Sequence, residues 1–130
     1  MAYDGPDLFP TATFFGISDT ELVQAHTSQR WRVALMGFAP GFGYLEPIEA
    51  PVLPWSSLPR RTTPRAMVPA GSVALAAGMS AIYPTSSPGG WHLIGTSRCT
   101  LFDPDNDSRP TQLVPGATVR FAAIDHEPTP

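Results

Sequence analysis

The first thirty positions alternate apolar and polar residues with a helical beat, and the texture then changes. Ser18-Asp19-Thr20-Glu21 has the form of a capping box, a serine N-cap answered three residues later by a glutamate. Leu22, Val23 and His26 then recur at the spacing of one helix face, which predicts a helix following Ser18. An earlier short helix over residues 7–15 is compatible with Pro10 only if that proline lies in its first turn, where its missing N–H has no intrahelical partner to lose. From Trp31 onward the apolar runs are short and broken by Pro and Gly. Residues 31–38, 71–77, 81–83, 91–94, 100–102 and 118–124 read as strands, and turn signals at such intervals argue for an antiparallel sandwich or a closed barrel. Helices precede strands and do not alternate with them, which disfavours a doubly wound α/β fold.

Composition narrows this picture. At 130 residues the chain is the size of one domain, and surface scaling hides about two-thirds of its unfolded area, enough for one sizeable core. Sixteen prolines and eleven glycines are many, but 42% hydrophobic and only 15% charged residues exclude a disordered chain. A formal net charge of −3 gives no footprint for nucleic acid or for an anionic membrane surface. All eight basic residues are arginine, so Schiff-base and P-loop lysine chemistry are ruled out. A single cysteine, Cys99, and the lack of a leader-like start point to a reduced, cytoplasmic protein.

Several stock motifs fail on inspection. Gly41-Phe42-Gly43 has Glu46 where a dinucleotide fingerprint needs its third glycine, and Gly95-Thr96-Ser97-Arg98-Cys99 lacks the closing glycine of a nucleophile elbow. Asp103, Asp105 and Asp107 alternate like a calcium loop, but Ser108 and Val114 occupy the positions that need Gly and Glu. His26, His92 and His126 are too scattered to propose a metal centre.

Three blocks carry candidate chemistry. Residues 37–45 set aromatic rings, among them Phe42 and Tyr44, on a glycine-bent backbone, which suits either a binding wall or a barrel plug. Pro59-Arg60-Arg61-Thr62-Thr63-Pro64-Arg65 places three guanidiniums on a proline-stiffened segment, and arginine forks suit carboxylate or phosphate. No acid lies between Glu49 and Asp103 to neutralise them locally, so anion binding is favoured over a merely solvated loop. Gly89-Gly90-Trp91-His92 lets backbone N–H groups approach a ligand and puts Trp91 and His92 on opposite faces of a strand, one of them inward.

Taken in order, residues 37–42, Pro59-Arg60-Arg61 with Thr63-Pro64-Arg65, Val68-Pro69-Ala70-Gly71-Ser72-Val73, Ile82-Tyr83-Pro84, Ser87-Pro88-Gly89-Gly90-Trp91 with Ile94-Gly95, Leu101-Phe102-Asp103, and Pro115-Gly116 with Val119-Arg120-Phe121 resemble the allophanate hydrolase subunit 1 family. That family includes the Kip-type kinase inhibitor and the B subunit of 5-oxoprolinase. The resemblance spans nearly the whole chain but only the family's C-terminal domain, so residues 1–130 are expected to form a single domain without the small N-terminal domain that relatives carry. It implies a mainly β, cyclophilin-like barrel with one or two short N-terminal helices.

It also implies a non-autonomous subunit of an ATP-dependent amide hydrolase. Its partners would be an allophanate hydrolase subunit 2-type protein, which is the C subunit of 5-oxoprolinase, and the A subunit of the same enzyme. Together such proteins open 5-oxo-L-proline to glutamate. ATP, with magnesium, is then expected to be used by the complex and not held by this chain alone. Alternative family roles are inhibition of a sensor histidine kinase and the carboxyltransferase part of a urea carboxylase-type system. On this reading Arg61, Arg65 and His92 are the catalytic candidates, and Arg60, Gly89, Gly90, Phe42 and Tyr44 the substrate-binding ones; no metal site is expected. Two departures stand out: Met79 and Ser80-Ala81 replace part of a Gly-Gln-Thr-Gly stretch, and Thr96-Ser97-Arg98 replaces Arg-Thr-Pro.

Overall fold

A computed structural model of the chain describes residues 1–36, 43–97 and 116–124. Two helices open it, α1 (Leu8–Phe15) and α2 (Asp19–Ser28). The capping box at α2 forms as expected: Glu21 N–H donates to Ser18 Oγ and Ser18 N–H to Glu21 Oε1. Pro10 sits in the first turn of α1, and Gly16 ends that helix in the left-handed region at φ 71°, where glycine has no Cβ to clash.

The strands are β1 (Trp31–Met36), β2 (Gly43–Pro47), β3 (Arg65–Val68), β4 (Ser72–Ala76), β5 (Met79–Ile82), β6 (Ser87–Gly89), β7 (His92–Thr96) and β8 (Thr118–Val119), with a 3-10 turn at Trp55–Ser57 before β3. Six of them form an antiparallel sheet in the order β7-β4-β5-β2-β1-β8, while β3 and β6 pair as a separate ribbon. The mainly β architecture with N-terminal helices is thus observed. Backbone hydrogen bonds join the two edges of the sheet: Ala2 exchanges both of its bonds with Thr96 of β7, while Met1 O accepts from Ile124 N–H beyond β8. The N-terminal segment continues along β7 through Gly5 N–H to Ile94 O and Asp7 N–H to Leu93 O.

The details differ from the sequence expectation in two respects. β2, β3 and β6 have weak apolar alternation and are not among the expected strands; they are set by pairing with neighbours, not by their own pattern. The strand expected over 118–124 is regular only at Thr118–Val119. The strand expected over 100–102 lies outside the described residues.

Both faces of the sheet are covered, which is why all five residues of β4 are buried. On one face Val73, Leu75, Ile82 and Ile94 join Trp31, Trp55, Leu22 and Phe121 beneath the helices. On the other, Ala74, Ala76, Ala81 and Leu93 meet Val68, Tyr83 and Trp91 beneath the β3–β6 ribbon. Leu93 and Ile94, adjacent on β7, serve opposite cores, and a bulge between β4 and β7 sets Val73 against Gly95 and Ala74 against Leu93. At the β4–β5 hairpin, Ala77 (φ 50°) and Gly78 (φ 87°) form a two-residue turn with both residues left-handed, held by Leu58 O and Trp55 O. No helix among the described residues is long and apolar enough to cross a membrane.

Candidate functional site

The arginine segment is anchored by a residue far away in sequence. Asp7, 4% exposed, stands at the N-cap position of α1 but makes no capping bond. Its carboxylate instead accepts from Arg65 Nη1 (2.6 Å) and Nη2 (3.0 Å), from Arg61 Nη1 (2.9 Å) and from the Leu93 backbone N–H (2.8 Å). Burial pushes the Asp7 carboxyl pKa upward, but the Arg65 hydrogen bond, the Leu93 N–H and the two guanidinium charges outweigh it and hold it below the usual carboxylate value. The same Arg61 donates its backbone N–H to Gly90 O (2.7 Å) and its Nε to Thr63 O (3.3 Å). The segment is therefore locked to α1, to β7 and to the glycine turn together.

That lock shapes a cleft of about 230 Å³ over the ribbon-side core. Its floor is aromatic: Tyr44 and Trp91 lie with ring centroids 5.8 Å apart, and Tyr83 completes the wall. Small residues make room for these rings, since Ala74, Ala76 and Ala81 are the sheet positions beneath them. Arg60, Arg61 and Pro64 form one rim, and Pro88, Gly89 and Gly90 the other. Burial raises the Tyr83 pKa and the neighbouring Tyr44 raises it further, while Arg60 opposes them, so the phenol stays protonated as a donor at neutral pH. The volume is below the roughly 300–1,000 Å³ of pockets for drug-sized ligands, so the cleft suits a small molecule. Rings and guanidinium forks together fit a compact, partly apolar carboxylate.

Of the residues singled out from sequence, Tyr44, Arg60, Arg61, Gly89 and Gly90 line this one cleft. Arg65 and His92 do not. Arg65 borders a separate groove of about 350 Å³ with Asp4, Met67 and Thr96. His92 Nε2 donates to Pro59 O (2.8 Å), and the ring lines a third cleft beside Thr62 and Thr63. Phe42 lies outside the described residues, as do Cys99, the Asp103–Asp107 run and His126. Trp91 is the inward member of the Trp91–His92 pair, at 7% exposure. Gly89 has a packing reason of its own, because a Cβ there would overlap the Tyr83 hydroxyl, whereas one at Gly90 would meet only Pro64 at ordinary contact distance. Of the two departures, Met79 packs against the ribbon-side core, and Thr96 Oγ1 donates to Asp4 Oδ1. Asp7, the residue that organises the arginines, was legible only as a helix start. Its partners are 54 and 58 residues away, beyond any local pattern.

A second polar network lies in the helix-side core and was not anticipated. His26 is fully buried, stacked on Phe121 with centroids 4.3 Å apart. Ser80 Oγ donates to Ala74 O (3.0 Å), so it accepts from His26 Nε2 (3.1 Å), and Tyr3 O–H donates to Nδ1 (2.7 Å). Burial, with a smaller push from the N-terminal charge, lowers the His26 pKa to about 3. This imidazole is a neutral structural link between α2, β5 and the N-terminal segment.

Known proteins share this architecture. The model of the carboxyltransferase domain, subdomain C and D, matches residues 1–113. The chain belongs to that family. Among relatives in it, the 5-oxoprolinase B subunit of Escherichia coli O157:H7 is 43% identical over 117 residues, covering 90% of this chain and 51% of the relative. The protein of the same name in Bacillus subtilis (strain 168) is 38% identical over 123 residues, covering 95% of this chain and 49% of that one. The chain thus spans about half the length of these relatives. Among solved structures, TTHA0988 superposes with a TM-score of 0.84 at 40% identity, covering 99% of this chain and 25% of that one. The conserved uncharacterized protein PH0987 from Pyrococcus horikoshii gives 0.83 at 36% identity, covering 95% and 56%.

Proposed function

We propose that this domain is the small-molecule-holding barrel of a 5-oxoprolinase-type protein, one member of a multi-subunit complex that opens 5-oxo-L-proline to glutamate at the expense of ATP. The observation that carries this reading is the aromatic cleft rimmed by Arg60 and Arg61. Its rings suit the apolar face of a five-membered lactam, and a guanidinium would donate to the carboxylate. The names of the relatives support the same direction. Arg60 is the better ligand cation, since Arg61 and Arg65 share Asp7, while Arg60 has no carboxylate partner among the described residues. The protonated Tyr83 hydroxyl and the Gly89-Gly90 backbone are polar groups that line the cleft where a polarised lactam oxygen would sit.

The chain has no lysine for a P-loop, and the described residues gather no group of three or more His, Cys, Asp or Glu. In this reading ATP and magnesium are therefore handled chiefly by the partner proteins, equivalents of the C and A subunits of 5-oxoprolinase. The test is glutamate release from 5-oxoproline and ATP by the reconstituted complex with and without this chain. Release that requires the chain, and that falls about tenfold or more with Arg60→Ala, is expected. No dependence on the chain, with the partners folded and bound to it, overturns the reading.

A further inference from the structure

The loop that rims the aromatic cleft has a second side. Behind it lies an open cleft of about 330 Å³, lined by Arg60, Arg61, Thr62, Thr63 and His92. Its chemistry differs from that of the first cleft: no aromatic ring but His92 lines it, and every lining residue except Pro59 carries a side chain able to donate a hydrogen bond. The side chains of Thr62 and Thr63 have no protein hydrogen-bond partner among the described residues. Because Pro59 O can only accept, His92 Nε2 carries the hydrogen in that bond, which leaves Nδ1 as the ring atom available to a ligand. The loop carries three guanidiniums, of which Arg61 and Arg65 share the single carboxylate of Asp7 and Arg60 has no carboxylate partner among the described residues, so positive charge is in excess there.

We infer that this cleft is an anion site for a phosphate or phosphoryl group. A tetrahedral oxyanion has enough acceptor oxygens to engage the Arg60 fork and both threonine hydroxyls at once. A hydrogen phosphate also has one O–H to donate to a neutral Nδ1, so the site works with the imidazole uncharged. A carboxylate, with two oxygens and no proton at neutral pH, uses only part of it. The site shares Arg60 and Arg61 with the aromatic cleft and is set apart from it by Thr62, Thr63 and His92.

The test is an amide-resolved NMR titration of the whole chain with inorganic phosphate, matched against chloride at equal ionic strength. Saturable shifts at Thr62, Thr63 and His92 are expected, with Thr63→Val weakening binding by about tenfold at an unchanged thermal midpoint and His92→Ala weakening it as far while also losing the bond to Pro59 O. A parallel titration with ATP distinguishes the sources. Binding much tighter than that of phosphate identifies a nucleotide, and equal binding identifies the free ion; either supports the site. Shifts that follow ionic strength alone, or that map to Tyr44 and Gly90, overturn it. The 5-oxoproline reading has its own readouts, shifts at Tyr44 with 5-oxoproline and glutamate release by the complex, so the two can fail separately although they share Arg60 and Arg61.

Discussion

The two faces of the central sheet solve different problems with the same strands. On the helix side, Val73, Leu75 and Ile94 present bulk to Trp31, Trp55 and Phe121, and the one histidine there is fully buried, bonded at both nitrogens and held neutral. On the ribbon side, Ala74, Ala76 and Ala81 present almost nothing, and the space they leave is taken by Tyr44, Tyr83 and Trp91, whose exposed edges form a cleft. Large residues fill a core to native density, whereas small ones leave room for a site roofed by other elements. Polar groups follow the same division. The buried, uncharged imidazole serves stability, while the charged loop is held in position by one buried carboxylate and leaves Arg60 to the solvent side.

The ribbon side is most vulnerable at that carboxylate. Asp7→Asn strands two half-buried guanidiniums and weakens the Leu93 anchor, so a loss of about 3 kcal/mol in denaturant unfolding is expected, together with loss of ligand binding in the cleft. A stable variant with intact binding would show that the clamp does not shape the site. Asp7 also adds an acid limit of its own. Its carboxyl is held below the unfolded value near 4, so its contribution is complete above that pH and is lost as pH falls through the lower folded value.

The helix side responds at milder acidity. His26 titrates near 3 when folded and about 6.5 when unfolded, so the unfolded chain binds the extra proton between those values. Stability is then complete above about 6.5 and falls by about 1.4 kcal/mol for each pH unit below it, until the folded value is reached. Between pH 6.5 and 4.5 a loss of about 2 kcal/mol is expected in urea unfolding. His26→Asn should be less stable at neutral pH but should flatten that slope, and an unchanged slope would assign the acid sensitivity elsewhere. The smallest effect concerns the ribbon side alone. Gly89→Ala must displace the Tyr83 hydroxyl and should cost about 1–2 kcal/mol, whereas Gly90→Ala should leave stability within about 0.5 kcal/mol. Equal costs would mean that Tyr83 does not hold its place against Gly89.

Much of the fold was legible because it rests on local rules. The capping box of α2, the proline in the first turn of α1 and the apolar runs at β1, β4 and β7 each announce their element within a few residues. β3 and β6 do not. Arg65-Ala66-Met67-Val68 and Ser87-Pro88-Gly89 become strands only because they pair with each other. In the site, Tyr44, Arg60, Arg61, Gly89 and Gly90 were recognisable as residue types suited to a ligand, and the fold brings them to one cleft. The separation of Arg65 and His92 from that cleft was not readable, since residue spacing along a bent loop does not say which side each group faces.

Composition and short-range pattern were enough to establish the class of the protein: a lysine-free, arginine-bearing, turn-rich β domain with helices first, carrying the motifs of its family. They could not say which of three neighbouring arginines are structural and which is left for a ligand. The loop has no acid within reach along the chain, and an isolated reading leaves all three guanidiniums equivalent. Asp7 breaks the equivalence from 54 residues away, because folding lays the N-terminal segment along β7 and thereby buries a carboxylate where two of the three can reach it. Charge compensation depends on distance in space, and that distance is set by the sheet, not by the order of residues.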